Sequence, residues 1–351
     1  MGNITIGMDL GDKINFVCVL DESGKVKQRI SIDNTMESIR TFFSKYKGAQ
    51  VAIEAGTHSP WISRLLSSIG CNVLVGNPRK LRVIWESDNK TDLRDAEMLA
   101  RIARFDPNLL YPIRHKGEQA QADLALMHSR DLLVRNRSSQ VNHVRGTVKS
   151  FGERLPSCST ECFHKKVVPH IPEQLKQSIE PILILIAQMT SQIKEYDKEI
   201  ETISTERYPE TALLRQVKGV GPLTALAYIL TIETPERFET CRQVGPYVGL
   251  TPRRDQSGET DKQLRITKAG SSFLRKLLIN SAQYILGPFG GDCNLQRFGL
   301  RLASRGGKNA KRKAVVAVGR KLSVLLLRLW KFGEIYDPLY KRNPWPIAKA
   351  A

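Results

Sequence analysis

Apolar and polar positions alternate from the start of the chain. "NITIGMDLG" (3–11) reads as a strand ending at Asp9. "KINFVCVLDESGK" (13–25) reads as a second strand running into a turn, and "VKQRISI" (26–32) as a third. In "TMESIRTFFSKY" (35–46) the period changes, and Ile39, Phe42 and Phe43 share a helical face. "AQVAIEAG" and "CNVLVGNP" then read as short apolar strands. The helix "SPWISRLLSSIG" between them ends at a glycine, and "LRDAEMLARIARF" (93–105) is a further helix opened by the Asp92 region. Three strands followed by helix–strand alternation predict a mixed α/β sheet domain.

Beyond it the pattern is helical. Val134, Arg137, Val141, Val144, Val148 and Phe151 recur at three and four within a long helix predicted over 118–151, with Arg137 the one polar intruder. After a break rich in proline, Ile182, Ile186, Met189, Ile193, Tyr196, Ile200 and Ile203 form a heptad seam. These helices are expected to pair as an antiparallel hairpin or as a coiled coil between subunits. From Tyr208 onward, a Gly-Val-Gly turn (219–221) precedes an apolar helix. "FETCRQVGPYVGLTPRRDQSGETDKQLRITKAG" follows, rich in glycine and charge and without long periodic runs. Two further helices are predicted over "SSFLRKLLINSAQYIL" and "KNAKRKAVVAVGRKLSVLLLRLWKFG". The expected domains are 1–112, 113–205 and 206–345.

Charge narrows the function. Fifty-four Lys and Arg against 35 Asp and Glu leave a formal charge of +19, with a pI near 9.8. That imbalance suits a polyanionic partner, with nucleic acid ahead of an acidic membrane surface. Ten Lys or Arg and no acid lie between Arg301 and Phe332. The helix carrying Lys308, Lys311, Arg312, Lys313, Arg320 and Lys321 is therefore the main candidate for gripping phosphates. Gly219 and Gly221 frame a helix-hairpin-helix-like turn whose backbone N–H groups could face a phosphate. Arg130, Arg135, Arg137, Arg145 and Lys149 on the first long helix are further candidates for binding RNA. No segment is apolar enough to span a bilayer. The six scattered cysteines and the absence of a signal peptide point to the cytoplasm. Cys158, Cys162, His164 and His170 fit no zinc-ligand spacing.

Four acids stand out by context. Asp9 interrupts an apolar strand, Glu54 sits in another, and Asp92 and Asp95 are three apart on one helix face. Strand ends and an adjacent helix start can gather such groups in one cleft, where a hard divalent cation relieves their repulsion. Capping is the plainer alternative, with Asp92 closing the start of its helix and Asp9 the turn at Gly11 and Asp12.

"IGMDLG", "VAIEAG" and "KTDLRDAEMLA" together resemble the N-terminal domain of the insertion-sequence 110-type transposases. The resemblance implies a RuvC-like (RNase H-like) fold with an Asp-Glu-Asp-Asp set matched by Asp9, Glu54, Asp92 and Asp95, holding Mg²⁺ or Mn²⁺. "GLTPRRDQSGE", "RITKAG" and "LRKLLINSA" resemble the family's C-terminal transposase domain. By residue chemistry Ser257 is an ordinary turn serine. The resemblance makes it the nucleophile; Arg253, Arg254, Arg265 and Lys268 flank it in the sequence and could hold phosphate oxygens. It also implies double-stranded donor and target DNA, a structured guide RNA, a dimeric or tetrameric homo-oligomer, and residence at the nucleoid. A junction-resolvase-type carboxylate nuclease using water, a site-specific invertase of the same family, and a nucleic-acid scaffold with an inactive cleft are the alternatives.

Overall fold

A computed structural model describes residues 4–81, 91–258 and 260–340. The C-terminal end of the third expected domain, 341–345, and the stretch 82–90 that precedes the Asp92 helix lie outside the described residues. The chain divides into two compact units, 1–117 and 118–351.

The first unit is a five-stranded mixed sheet. Its strands are β1 (Thr5–Asp9), β2 (Ile14–Leu20), β3 (Val26–Asp33), β4 (Gln50–Glu54) and β5 (Asn72–Gly76), in the order β3-β2-β1-β4-β5. β2 runs antiparallel to β1 and β3, while β4 is parallel to β1 and to β5. The order and senses are consistent with an RNase H-like fold. One sheet face is covered by α1 (Met36–Phe43) and α2 (Ser59–Ile69). Ile6, Met8, Val51 and Ile53 pack there with Ile39, Phe43, Ile62 and Leu66. Gly70 ends α2 at φ +100, the left-handed conformation that glycine adopts without a Cβ clash.

The other face takes α3 (Asp92–Phe105). Its fit depends on small residues. A Cβ on Gly7 would stand 1.9 Å from the Ala96 carbonyl oxygen and 2.5 Å from the Ala100 nitrogen. The helix backbone therefore lies directly on the strand, with Ala96 and Ala100 packed beside Cys18 and Leu20. Gln50 Nε2 donates to the Ala103 carbonyl at 2.6 Å. Arg29 and Arg101 both hold Glu97, Arg29 Nη2 at 2.6 Å and Arg101 Nε at 2.8 Å.

The second unit is helical. α4 (Glu118–Ser150) and α5 (Lys176–Glu206) lie antiparallel within one chain. Arg207 Nη1 donates to Asp123 at 2.5 Å, Arg130 Nε to Asp197 at 2.9 Å, and Arg137 Nη1 to Thr190 Oγ1 at 3.2 Å. The buried stripe of α5 is Ile179, Leu183, Ile186, Thr190, Ile193, Ile200 and Ile203. The expected seam residues Ile182, Met189 and Tyr196 are only half-buried; at the first two the stripe passes instead through the neighbours Leu183 and Thr190.

The core of this unit surrounds α7 (Pro222–Ile232), buried from Thr224 to Ile232. It follows the short α6 (Thr211–Arg215). Tyr228 donates from its hydroxyl to the Ser323 carbonyl at 2.6 Å. The glycine-rich stretch contains an antiparallel hairpin, β6 (Pro252–Ser257) with β7 (Thr260–Ile266). Three longer helices follow the hairpin: α8 (Ser272–Leu286), α9 (Asn294–Ala303) and the basic α10 (Ala310–Phe332). α8 is capped by Ser271, whose hydroxyl accepts from Leu274 N–H. Among the described residues no helix is long and apolar enough to cross a membrane.

Candidate functional site

Side-chain parity places the acids of the first unit. Residues two apart on a strand share a face. Asp9 therefore shares the α3 face of β1 with Gly7, and Glu54 shares the same face of β4 with Ala52 and Gln50. Met8 pairs with Ile53 in parallel register, so Asp9 and Glu54 end adjacent strands, spaced about 4.8 Å apart. α3 touches β1 at Gly7 through its middle, Ala96 and Ala100, and meets β4 at Gln50 near its end. It runs antiparallel to both strands, and its first turn, with Asp92 and Asp95, lies at the strand ends carrying Asp9 and Glu54.

The cap of α3 is Thr91, whose hydroxyl accepts from Arg94 N–H at 3.4 Å. Asp92 is thus a first-turn acid at the positive end of the helix dipole and does not cap it. Asp9, Glu54 and Asp95 each already engage a partner. Among the described residues, no three His, Cys, Asp or Glu side chains lie close enough together to hold one ion as they stand. The donor set is all carboxylate and suits a hard divalent cation, but the side chains would have to turn to share it.

The residue reading passed over His58. It follows β4, and its Nε2 lies 3.3 Å from Asp12 Oδ1 in the loop after β1. Trp61 Nε1 donates to His58 Nδ1 at 3.3 Å. An indole N–H can only donate, so Nδ1 accepts and Nε2 carries the proton toward Asp12. The signal in the sequence was "GTHSPW" directly after a strand ending in an acid.

In the second unit Ser257 ends β6 at the hairpin tip, opposite Thr260 and before Gly258 at φ +56. Every residue of the hairpin's two strands is exposed except their ends at Pro252 and Ile266. Arg254 is committed to the ribbon. Its Nε and Nη2 donate to the two oxygens of Asp261 at 2.7 and 2.5 Å, so binding a phosphate means giving up that fork. The pair holds Arg254 charged and draws the Asp261 carboxyl below its usual range. The hairpin's root is fixed by close backbone contact. A Cβ on Gly249 would lie 2.4 Å from both Ala269 N and O, and one on Gly270 2.2 Å from the Tyr247 carbonyl. Arg275 staples the same place, donating to the carbonyls of Ala269 at 2.7 Å and Val248 at 3.2 Å.

Beside this root lies a groove of about 1720 Å³, walled by β7, α9 and α10. Of the expected phosphate-binding residues, Arg265, Lys268, Lys308, Arg312 and Lys313 line it, while Arg253, Arg254 and Lys311 do not. Arg320 and Lys321 join them. Lys321 Nζ sits 3.8 Å over the Phe298 ring, and burial pushes its pKa down. Gly219 (φ +95) packs against Tyr284 and Ile285, whereas Gly221, at the start of α7, faces open space.

The arginines of α4 turn mostly inward. Arg137 is buried on Thr190, Arg130 pairs with Asp197, and Arg135 pairs with Asp131. Arg145 lies over Phe163 and donates to the Pro156 carbonyl. These are contacts within the fold, but Arg135 is still 65% exposed and remains, with exposed Lys149, a candidate for an outside partner.

The comparisons with known proteins join the two units. Residues 6–152 match a family model described as Transposase, and residues 211–288 match one described as Transposase IS116/IS110/IS902 family. The chain is therefore homologous to enzymes that move or rearrange DNA. More narrowly, that homology is to the IS110/IS1111 family of transposases. The transposase for insertion sequence element IS1111A of Coxiella burnetii is 24% identical over 343 residues, covering 94% of this chain and 90% of that protein. A probable family 20 transposase of Pseudomonas aeruginosa is 27% identical, covering 80% of this chain and 83% of its own. A pilin gene-inverting protein of Moraxella bovis is 26% identical over 71% of this chain and 68% of its own.

Proposed function

We propose that the chain is a transposase that cuts and rejoins DNA through Ser257, with Asp9, Glu54, Asp92 and Asp95 as its carboxylate set. The observation that carries this reading is the arrangement in the first unit. Two acids end adjacent parallel strands on one sheet face, and two more occupy the helix turn at the same end, within a stretch homologous to transposases. Mg²⁺ or Mn²⁺ held there would neutralise charge on the phosphoryl oxygens during transfer. Ser257 Oγ forms a bond to the strand phosphorus, and its proton passes to water. The bond from phosphorus to one sugar oxygen breaks, and that oxygen leaves protonated. Attack by a second strand's hydroxyl on the phosphoserine reverses the sequence and frees the serine.

The exposed hairpin tip suits a nucleophile that must meet a large substrate. Arg253, on the ribbon itself, offers charge to the flanking phosphates, while Arg265 and Lys268 stand at the hairpin's root. By resemblance to its family, the working assembly is a homo-oligomer with donor DNA, target DNA and a structured RNA that supplies sequence choice by pairing. The similarity to a pilin gene-inverting protein favours inversion of a DNA segment as a second biological role for the same chemistry.

The test is strand exchange on the element's own ends with its RNA and Mg²⁺. Ser257→Ala should abolish both exchange and a covalent protein–DNA adduct, and Asp95→Asn should abolish exchange while DNA binding persists. Exchange that survives Ser257→Ala would transfer the reading to a nuclease in which water attacks.

A further inference from the structure

The groove of the second unit has two kinds of surface. Among its described lining residues ten are Lys or Arg and one, Asp337, is an acid. Among the described residues no carboxylate pairs with Arg265, Lys268, Lys308, Arg312 or Lys313, which form its rim. Its floor is apolar, made by Leu250, Leu264, Phe298, Val316, Val324 and Leu325, with Tyr340 at one edge. At about 1720 Å³ it exceeds the roughly 300–1,000 Å³ of small-molecule pockets.

A duplex makes poor use of such a groove. Its bases are stacked on one another, so it would meet the rim with phosphates and leave the apolar floor wet. An unpaired strand turns its bases out and can lay them on apolar and aromatic side chains while its phosphates follow the cations. We infer that this groove holds a single DNA strand, unpaired from its complement, with bases on the floor and phosphates on the rim. The inference rests on the transposase reading and deepens it. β7 supplies Leu264 and Arg265 to the groove, Lys268 follows just beyond its end, and the tip of the same hairpin bears Ser257. A strand lying here is thus led along the hairpin toward the serine.

The experiment is fluorescence anisotropy on the full chain with labelled oligo-dT of about 20 nucleotides, slightly longer than the ~4–16 nucleotide sites of strand-binding folds. A duplex of equal length and polyglutamate serve as competitors. The single strand should bind about tenfold or more tighter than either. Phe298→Leu and Tyr340→Leu should each weaken strand binding about fivefold or more and leave duplex binding unchanged. Tyr340 is 52% exposed, so its variant reports on binding even if Phe298→Leu loosens the fold. Lys308→Ala and Arg312→Ala should weaken both ligands and lower the strand's salt slope by about 0.7 each.

A duplex or polyglutamate that competes equally, with both leucine variants silent, overturns the inference and makes the groove a grip for charge alone. Should the protein still exchange strands in that case, the recombinase reading stands without it. Tight, floor-dependent strand binding without exchange under any condition would leave the groove and remove the recombinase.

Discussion

Gly7 is the residue on which the proposed carboxylate site of the first unit depends, and Gly7→Ala perturbs it by one methyl group. The new carbon would lie 1.9 Å from the Ala96 carbonyl oxygen and 2.5 Å from the Ala100 nitrogen. Both are backbone atoms in the middle of a helix, so no rotamer can relieve the clash. α3 would have to withdraw from β1 by roughly 1.5 Å to reach ordinary van der Waals separation. Overpacking of this kind costs about 1–3 kcal/mol. For a unit of this size that corresponds to a fall of roughly 4–12 °C in Tm. The displacement matters more than the stability. α3 carries Asp92 and Asp95 while β1 carries Asp9, so the two halves of the carboxylate set move apart. A misplacement of about 1 Å can cost about a hundredfold in rate. The assay is Mg²⁺-dependent strand cleavage beside thermal unfolding followed by circular dichroism. DNA binding, which rests largely on the second unit in this reading, serves as the internal control. Gly56→Ala provides the comparison, since a Cβ there meets nothing within 4 Å. If Gly7→Ala keeps the wild-type Tm and cleavage rate, α3 does not seat the acids as described.

Three further expectations follow from packing and charge. Gly249→Ala adds a Cβ at φ +71 and 2.4 Å from Ala269, so it should destabilise the second unit by about 1–3 kcal/mol. It should also speed hydrogen exchange at Arg253–Ser257; protection at the wild-type level there would contradict the hairpin's anchorage. Glu97 is held below its usual pKa chiefly by Arg29 and then by Arg101. Its contribution is therefore present above the ordinary value of about 4.3 and lost as pH falls through the lower folded value. Glu97→Gln should flatten the acid limb of the first unit's Tm against pH by no more than about 1 kcal/mol. An unchanged limb would show that the pair contributes nothing. Arg137 is a buried cation with one hydrogen bond, to Thr190, and its Nε has no partner among the described residues. Arg137→Met should leave stability unchanged or raise it, by about 4 kcal/mol at most, and a loss in urea unfolding would mean that Arg137 is better satisfied than its geometry indicates.

The sheet was legible because its strands alternate and because Asp9 and Glu54 interrupt otherwise apolar runs. What brings those acids to one place was not. Gly7 looks like any strand glycine until α3 lies on it, and that contact is between residues almost ninety positions apart. The hairpin β6–β7 escaped because both of its faces are polar, which removes the alternation that marks a strand. Helix α9 was missed for a related reason, being short and set between glycine-rich turns. The α5 seam shifted by one residue at Leu183 and Thr190, where partners on α4 decided which neighbour turned inward. The basic helix α10 was plain from charge alone. That its cations overlook an apolar floor needed Phe298 and Leu264, which come from separate elements.

The polar rungs between α4 and α5 limit how this arm can change length. On α4 they fall at Asp123, Arg130 and Arg137, one every seven residues. Each residue inserted or deleted turns the remainder of the helix by about 100°. A single deletion between Asp123 and Arg130 would swing every later rung off its mate. Seven residues, taken from both helices together, would nearly restore the phase. An arm of this kind can grow or shrink by whole heptads, so the reach it spans is set in steps of about 10.5 Å rather than continuously.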